Sequence, residues 1–186
     1  LAMLLRSPEL DLKLVTTATI EVVYRARVTA KLLEVAGRTD VPVGIGIPTV
    51  NPEFRPLQQP WVEDYDLDSY PGRIHQDGVS VMIETIMNSP ERITLIAVGP
   101  LTNVGVALKR EPRIAEKADF VGMHGSIYWR KADGGEKNEY NVKADVPAFR
   151  TVFAAPWKKT ITPLDTCALL QLSGAKYRAV ADSPDT

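Results

Sequence analysis

"ITLIAVGPLTNVGVALKREP", residues 93–112, decides the fold class. Its first part, 93–99, is a short apolar run rich in β-branched residues, the composition of a strand buried on both faces. Gly99 and Pro100 break it. Behind them Leu101, Val104 and Leu108 recur at helical spacing, and proline is tolerated in a first helical turn. The unit is strand, tight turn, helix.

The same alternation extends both ways along the chain. Upstream, "LKLVTTA" (12–18) reads as a strand and "EVVYRARVTAKLLEVAG" (21–37) as a helix closed by Gly37. "VPVGIGI" (41–47) is a second strand, and "DGVSVMIETIMNSP" (77–90) carries an apolar stripe ending at Pro90. Downstream, "ADFVGMHGS" (118–126) and "KTITPLD" (159–165) read as strands, and "VPAFRTVFAAP" (146–156) and "GAKYRAVAD" (174–182) as helices. Strands alternating with helices predict an α/β fold: a mostly parallel open sheet with helices on both faces. Ligands of such sheets bind beyond the carboxyl ends of the strands. That rule selects residues 16–21, the loop after Ile47, 98–103, 123–141 and 164–167.

Two connections are long. The segment 48–72 holds five prolines (Pro48, Pro52, Pro56, Pro60 and Pro71) with Trp61, Tyr65 and Tyr70, and its aromatics predict a packed excursion near the ligand side. The segment 126–141 is the other.

A chain of 186 residues supports one domain with a substantial core, so a single domain is expected over 1–186. With 45% apolar and 24% charged residues the composition is globular, and a net charge of −1 offers no basic surface to nucleic acid or anionic lipid. One cysteine, Cys167, leaves no internal disulfide. No apolar run approaches the roughly 20 residues needed to cross a bilayer. A reducing, cytoplasmic setting is the expectation. The opening "LAMLLRSP" reads as the last turns of a helix with nothing before Leu1 to cap it, so the chain is expected to start within a domain.

The polar chemistry concentrates in "GGEKNEYNVKADVPAF", 134–149. Glu139 and Asn141 stand two apart, where an extended backbone points both side chains the same way. One reading is a solvated loop in which Asn141 or Asp145 caps the following helix. The other is a sugar grip: a carboxylate accepts from neighbouring hydroxyls while an amide both donates and accepts. "GPLTN" (99–103) admits two readings as well, a plain turn or a backbone presented at the ligand edge with the Val98 carbonyl exposed to an ion. His75, in "IHQDG", stands after the long loop, and His124 sits between glycines at a strand tip with no assigned role. Asp165 and Cys167 read as a turn-forming acid and a small buried residue. The histidines and cysteine show no metal-ligand spacing, and a nucleophile elbow is absent.

Taken together, "ITLIAVGPLTNVGVALKREPRI", "FVGMHGS", "NEYNVKADVPAF" and "ITPLDTC" resemble the central part of the inosine-uridine preferring nucleoside hydrolase family. The earlier "LVTTA", "AKLLEVAGRTDVPVGIGI" and "IHQDG" follow in family order. The resemblance implies a nucleoside hydrolase-like, Rossmann-like fold and a calcium-assisted hydrolysis of the N-glycosidic bond of ribonucleosides, through an oxocarbenium-like transition state. It implies that Glu139 and Asn141 bind ribose and that Val98 offers calcium its carbonyl, in place of a threonine in relatives. Glu21 takes the place of a ribose-contacting asparagine, and His75 aligns with a histidine on the active-site side. Tyr140 replaces a phenylalanine and His124 a glycine.

The family's aspartate-rich N-terminal calcium motif and its C-terminal part have no counterpart here. The resemblance therefore implies a domain truncated at both ends, with an open sheet edge, no catalytic residue of its own and little activity alone. A non-catalytic relative that binds nucleosides or partner chains is the alternative. Family habit implies a homo-oligomer.

Overall fold

A computed structural model describes residues 1–49, 54–128 and 138–184. In chain order the elements are α1 (Ala2–Leu5), β1 (Val15–Thr16), α2 (Val22–Val35), β2 (Val43–Gly44), α3 (Gln59–Val62), β3 (Ile74–His75) and α4 (Gly78–Asn88). Then come β4 (Ile93–Ala97), α5 (Thr102–Arg110), α6 (Ile114–Lys117), β5 (Ala118–Met123) and α7 (Tyr140–Ala144). The described part ends with α8 (Val146–Ala154), β6 (Lys159–Thr162), α9 (Leu164–Cys167) and α10 (Gly174–Ala181). This is the expected α/β alternation.

The strands form two parallel three-stranded sheets, ordered β1-β2-β3 and β4-β5-β6. Their inner edges, β1 and β4, meet beyond their carboxyl ends, where Asn103 donates to the Thr17 carbonyl at 2.8 Å. At the same end, a methyl group at Gly99 would lie 3.8 Å from Ala18 Cβ. Across the molecule the order is therefore β3-β2-β1 beside β4-β5-β6, with no backbone ladder joining the halves among the described residues.

Helices cover both faces of the first sheet. Val43 packs with Val22, Ala26, Ala30 and Leu33 of α2, while a Cβ at its neighbour Gly44 would meet the Gly78 Cα of α4 at 2.8 Å. Successive strand residues point to opposite faces, so α2 and α4 lie on opposite sides. The second sheet turns Phe120 and Ala118 toward α4, α5 and α8, and its other face is more open, with Ile96 43% exposed.

Local chemistry sets the element ends. Gly37 takes φ +66°, and the Arg38 amide returns to the Leu33 carbonyl at 2.8 Å, the closure a glycine after a helix permits. Asp77 caps α4 by accepting from the Val79 and Ser80 amides. Between α5 and α8 the backbones approach so closely that a Cβ on Gly105 would lie 2.8 Å from Ala148 Cβ.

The long segment does pack, along α2 from the ligand end to the opposite end. Tyr24 exchanges hydrogen bonds with Gln58, Tyr65 donates to Glu34 at 2.7 Å, and Tyr70 donates to the Val41 carbonyl at 2.9 Å. Residues 50–53, with Pro52, lie outside the described residues, as do Gly134 and Gly135 of the second long connection. Sequence patterning overlooks β3 and the short α3, α6 and α7, each too brief to show a period. It also reads 159–165 as a single strand, whereas Leu164 already opens α9 after Pro163.

Candidate functional site

The polar groups singled out from the sequence gather where the strands end. Glu139 is the N-cap of α7, and its carboxylate accepts three backbone N–H groups. Oε1 takes Asn141 N at 2.7 Å. Oε2 takes Val142 N at 3.0 Å and Gly125 N at 3.1 Å. Asn141, in the first turn of α7, donates from Nδ2 to the Met123 carbonyl at 2.9 Å. Met123 is the last residue of β5 and Gly125 lies two beyond it, so both side chains are anchored at the carboxyl rim of this strand.

Their pairing has a different origin from the expected one. The backbone is not extended through 139–141, because a helix starts at Tyr140. A residue at N-cap and one in the first turn are brought together by the cap itself: the Glu139 carboxylate folds over to the Asn141 amide. Glu139 is thus the cap of α7 and Asp145 the cap of α8, where it accepts from Ala148 N at 3.0 Å and from the Thr102 hydroxyl at 2.7 Å. Both Glu139 and Asn141 are buried, at 7% and 8% exposure, so the solvated-loop reading does not describe them. Within the described hydrogen bonds, Oε1 carries one donor and keeps room for another.

Two further candidates share this rim. Val98 follows β4 directly and is 76% exposed. Glu21 follows the β1 turn as the N-cap of α2; it is exposed and its side chain caps no amide. His75 lies apart. It ends β3, where its carbonyl accepts the Ile45 amide at 2.8 Å, and β2, β1 and β4 separate it from β5.

Three structural features at the rim escaped sequence reasoning. Asn103 of "GPLTN" is a buried cross-brace: it donates to the Thr17 carbonyl at 2.8 Å and accepts from Ile47 N at 2.8 Å. The β1–α2 turn holds Thr19 at φ +74° and Ile20 at φ +55°, a left-handed conformation that β-branched residues rarely adopt. It is held by Ile20 N donating to the Thr49 hydroxyl at 3.0 Å and by Arg25 Nε donating to the Thr19 carbonyl at 3.1 Å. Asp165 is more than a turn former, since it accepts the amides of Ile127 and Tyr128 at 2.7 and 2.6 Å. Only the glycine-proline break and the isolated polar residues hinted at these.

His124, without an assigned role from sequence, is 2% exposed. Its Nε2 lies 3.0 Å from the Gly99 carbonyl. Burial pushes the imidazole below histidine's usual range, against the smaller opposing pulls of the Gly99 carbonyl and Glu139.

A calcium ion takes six to eight oxygen ligands. Val98 could offer one carbonyl, but among the described residues no three His, Cys, Asp or Glu side chains come together as a metal site. The Glu139 carboxylate is already turned onto amides. The described residues do not make a calcium shell.

Comparison with known proteins gives the family. The profile of the family described as "Inosine-uridine preferring nucleoside hydrolase" matches residues 1–185. A non-specific ribonucleoside hydrolase, RihC, of Salmonella paratyphi B is 28% identical over 183 residues, covering 93% of this chain and 58% of that protein. The inosine-uridine preferring nucleoside hydrolase of Crithidia fasciculata is 27% identical over 172 residues, covering 86% of this chain and 53% of its own length. Among solved structures, an inosine-uridine preferring nucleoside hydrolase from Bacillus anthracis superposes with a TM-score of 0.69 at 19% identity, over 92% of this chain and 62% of that one. The chain thus spans between half and two thirds of the length of these relatives.

Proposed function

The chain belongs to the inosine-uridine preferring nucleoside hydrolase family, and on that premise we propose that it carries the ribose-holding half of an N-glycosidic bond hydrolase acting on ribonucleosides. In the net reaction the C1′–N bond breaks, water oxygen bonds to C1′, and the base leaves with a proton. The supporting observation is the Glu139–Asn141 pair, anchored to Gly125 and Met123 at the carboxyl end of β5. The remaining acceptor site on Oε1 and the Asn141 carboxamide are the groups that would meet the ribose hydroxyls. Glu21 and the Val98 carbonyl are further groups offered to the ligand, with His75 at the end of β3 in the other sheet.

Calcium enters only as the family's cofactor. Val98 is the one position here assigned to it, and no step of the reaction is drawn through an ion for which the described residues make no shell. Since no catalytic acid or base is assigned, the 186-residue chain alone is expected to release no sugar. Among the described residues no helix is long and apolar enough to cross a membrane. A cytoplasmic setting and association into a homo-oligomer complete the reading, and light scattering of the purified chain tests the latter.

The experiment is a ribose titration followed by backbone amide shifts, with a reducing-sugar assay on inosine and uridine, each with and without added calcium. Ribose should move the amides of Glu139, Tyr140 and Asn141, and the assay should stay at its blank. Robust turnover would refute the inactivity, and silent amides would refute the ribose grip.

The alternative is a non-catalytic binding relative, in which Glu139 serves as the cap of α7 and the tie to Gly125. A full-length protein that binds inosine without cleaving it would establish that alternative.

A further inference from the structure

Three consecutive residues at the end of β5 each hold a different part of the rim. The Met123 carbonyl receives Asn141, and the Gly125 amide donates to Glu139. Between them, His124 reaches sideways to the Gly99 carbonyl in the turn from β4 to α5, 3.0 Å away. A carbonyl only accepts, so Nε2 carries the proton and the neutral ring leaves Nδ1 bare. That Nδ1 is buried with no partner among the described residues.

The ring is seated by the strand itself. Phe120, Gly122 and His124 alternate onto one face of β5, and a Cβ at Gly122 would lie 2.6 Å from Nδ1. The imidazole fills the notch that the glycine leaves, with Phe120 and Phe149 at centroid distances of 5.9 and 6.4 Å. An apolar ring would fill this notch without stranding a polar atom, and stranding one carries a cost. What the imidazole adds is the Nε2–H donor. Gly99 has no side chain to orient its own peptide, so the bond to its carbonyl limits where the Gly99 backbone, and Val98 joined to it, can sit.

We propose that His124 is a positioning residue for the ribose-holding site: wedged in the Gly122 notch, it bolts the turn at Gly99 to the end of β5 and so sets where Val98 stands relative to Glu139 and Asn141. This rests on the proposed sugar site for its purpose, though not for its geometry.

The test uses the 186-residue chain labelled with ¹⁵N at histidine and backbone. In the wild type at neutral pH, the His124 ring should show a protonated Nε2 and a bare Nδ1. His124→Phe keeps the ring and removes the donor. It should move the Gly99 and Leu101 amides and weaken the ribose response at Asn141 on the order of fivefold, the net worth of one neutral hydrogen bond. His124→Gln restores a donor and should recover at least part of that response. An Nδ1–H or charged ring in the wild type overturns the proposal, as does a His124→Phe chain whose Gly99 and Leu101 amides are unmoved. If the wild type ignores ribose, the sugar site fails while the ring tautomer and the Gly99 shifts still judge the bolt. Should His124→Phe not fold, the wild-type tautomer and His124→Gln decide.

Discussion

The side-chain amide of Asn103 donates to the carbonyl of Thr17 at 2.8 Å, across the line where the two sheets meet without a backbone ladder. The same side chain accepts the Ile47 amide at 2.8 Å. One residue of the second half of the fold therefore satisfies one buried and one half-buried backbone group of the first. A Cβ at Gly46 would come within 2.4 Å of the Asn103 nitrogen, which explains why that strand end carries a glycine.

Replacing Asn103 by alanine should leave both groups unpaired and cost about 3 kcal/mol, since each buried orphan costs roughly 1–3 kcal/mol. Urea denaturation measures it. A loss below about 0.5 kcal/mol, the scale of an uninvolved surface change, would mean the brace does not join the halves.

Ile20→Gly should stabilise the chain. A β-branched residue at φ +55° is strained; relief of about 1–3 kcal/mol outweighs the roughly 0.5–1 kcal/mol of backbone freedom that glycine adds to the unfolded state. A melting temperature raised by a few degrees is the expected result. A lowered one would show that the isoleucine side chain contributes more by packing than its backbone costs.

Glu139→Ala removes the acceptor of three backbone amides and should destabilise by about 2–3 kcal/mol, more than the loss of an ordinary cap. Glu139→Gln keeps an acceptor oxygen but not the charge. Its one oxygen can still accept from Val142 N and Gly125 N, but its NH2 then faces the Asn141 N–H, so the variant should lose about 1–2 kcal/mol, less than the alanine, while lowering ribose affinity about tenfold, because charge-assisted hydrogen bonds are the stronger kind. Equal losses of stability and binding in both variants would reduce Glu139 to a cap.

Asp77 supplies a pH dependence. Its carboxyl is held down to about 2 by the Ser80 hydroxyl and amide, with Arg110 adding to them. The folded value lies below the unfolded value of about 3.9, so the stabilisation is present above pH 4 and is lost as pH falls toward 2. The side chain is 55% exposed, which limits the effect to about 1 kcal/mol, the worth of a cap. Asp77→Asn should flatten the acid limb of the stability curve between pH 4 and 2. An unchanged limb would place the acid sensitivity elsewhere.

Much of the fold was legible because strands and helices of ordinary length leave a period in the apolar residues. Leu101, Val104 and Leu108 did so for α5, as did the stripe through Val79, Met82 and Ile86 for α4. Two-residue strands leave none, and β3 went unseen. The candidate site was half legible. Glu139 and Asn141 stood out by residue type, and their place at the rim follows from the rule for parallel sheets. The mechanism that pairs them was misread, because a five-residue helix such as α7 is announced by a cap and not by periodicity, and glutamate is an uncommon cap.

Composition and periodicity alone established an α/β alternation, the strand ends at which ligands gather, and a carboxylate beside a carboxamide. These are local properties, carried by neighbours along the chain. Folding in three dimensions settled that Glu139 is turned onto amides from two separate segments, that His75 ends a strand of the other sheet, and that His124 and Asn103 hold turns 25 and 86 residues away. Such contacts depend on which strands lie side by side, and a hydrogen bond between residues so distant in sequence leaves no pattern in either.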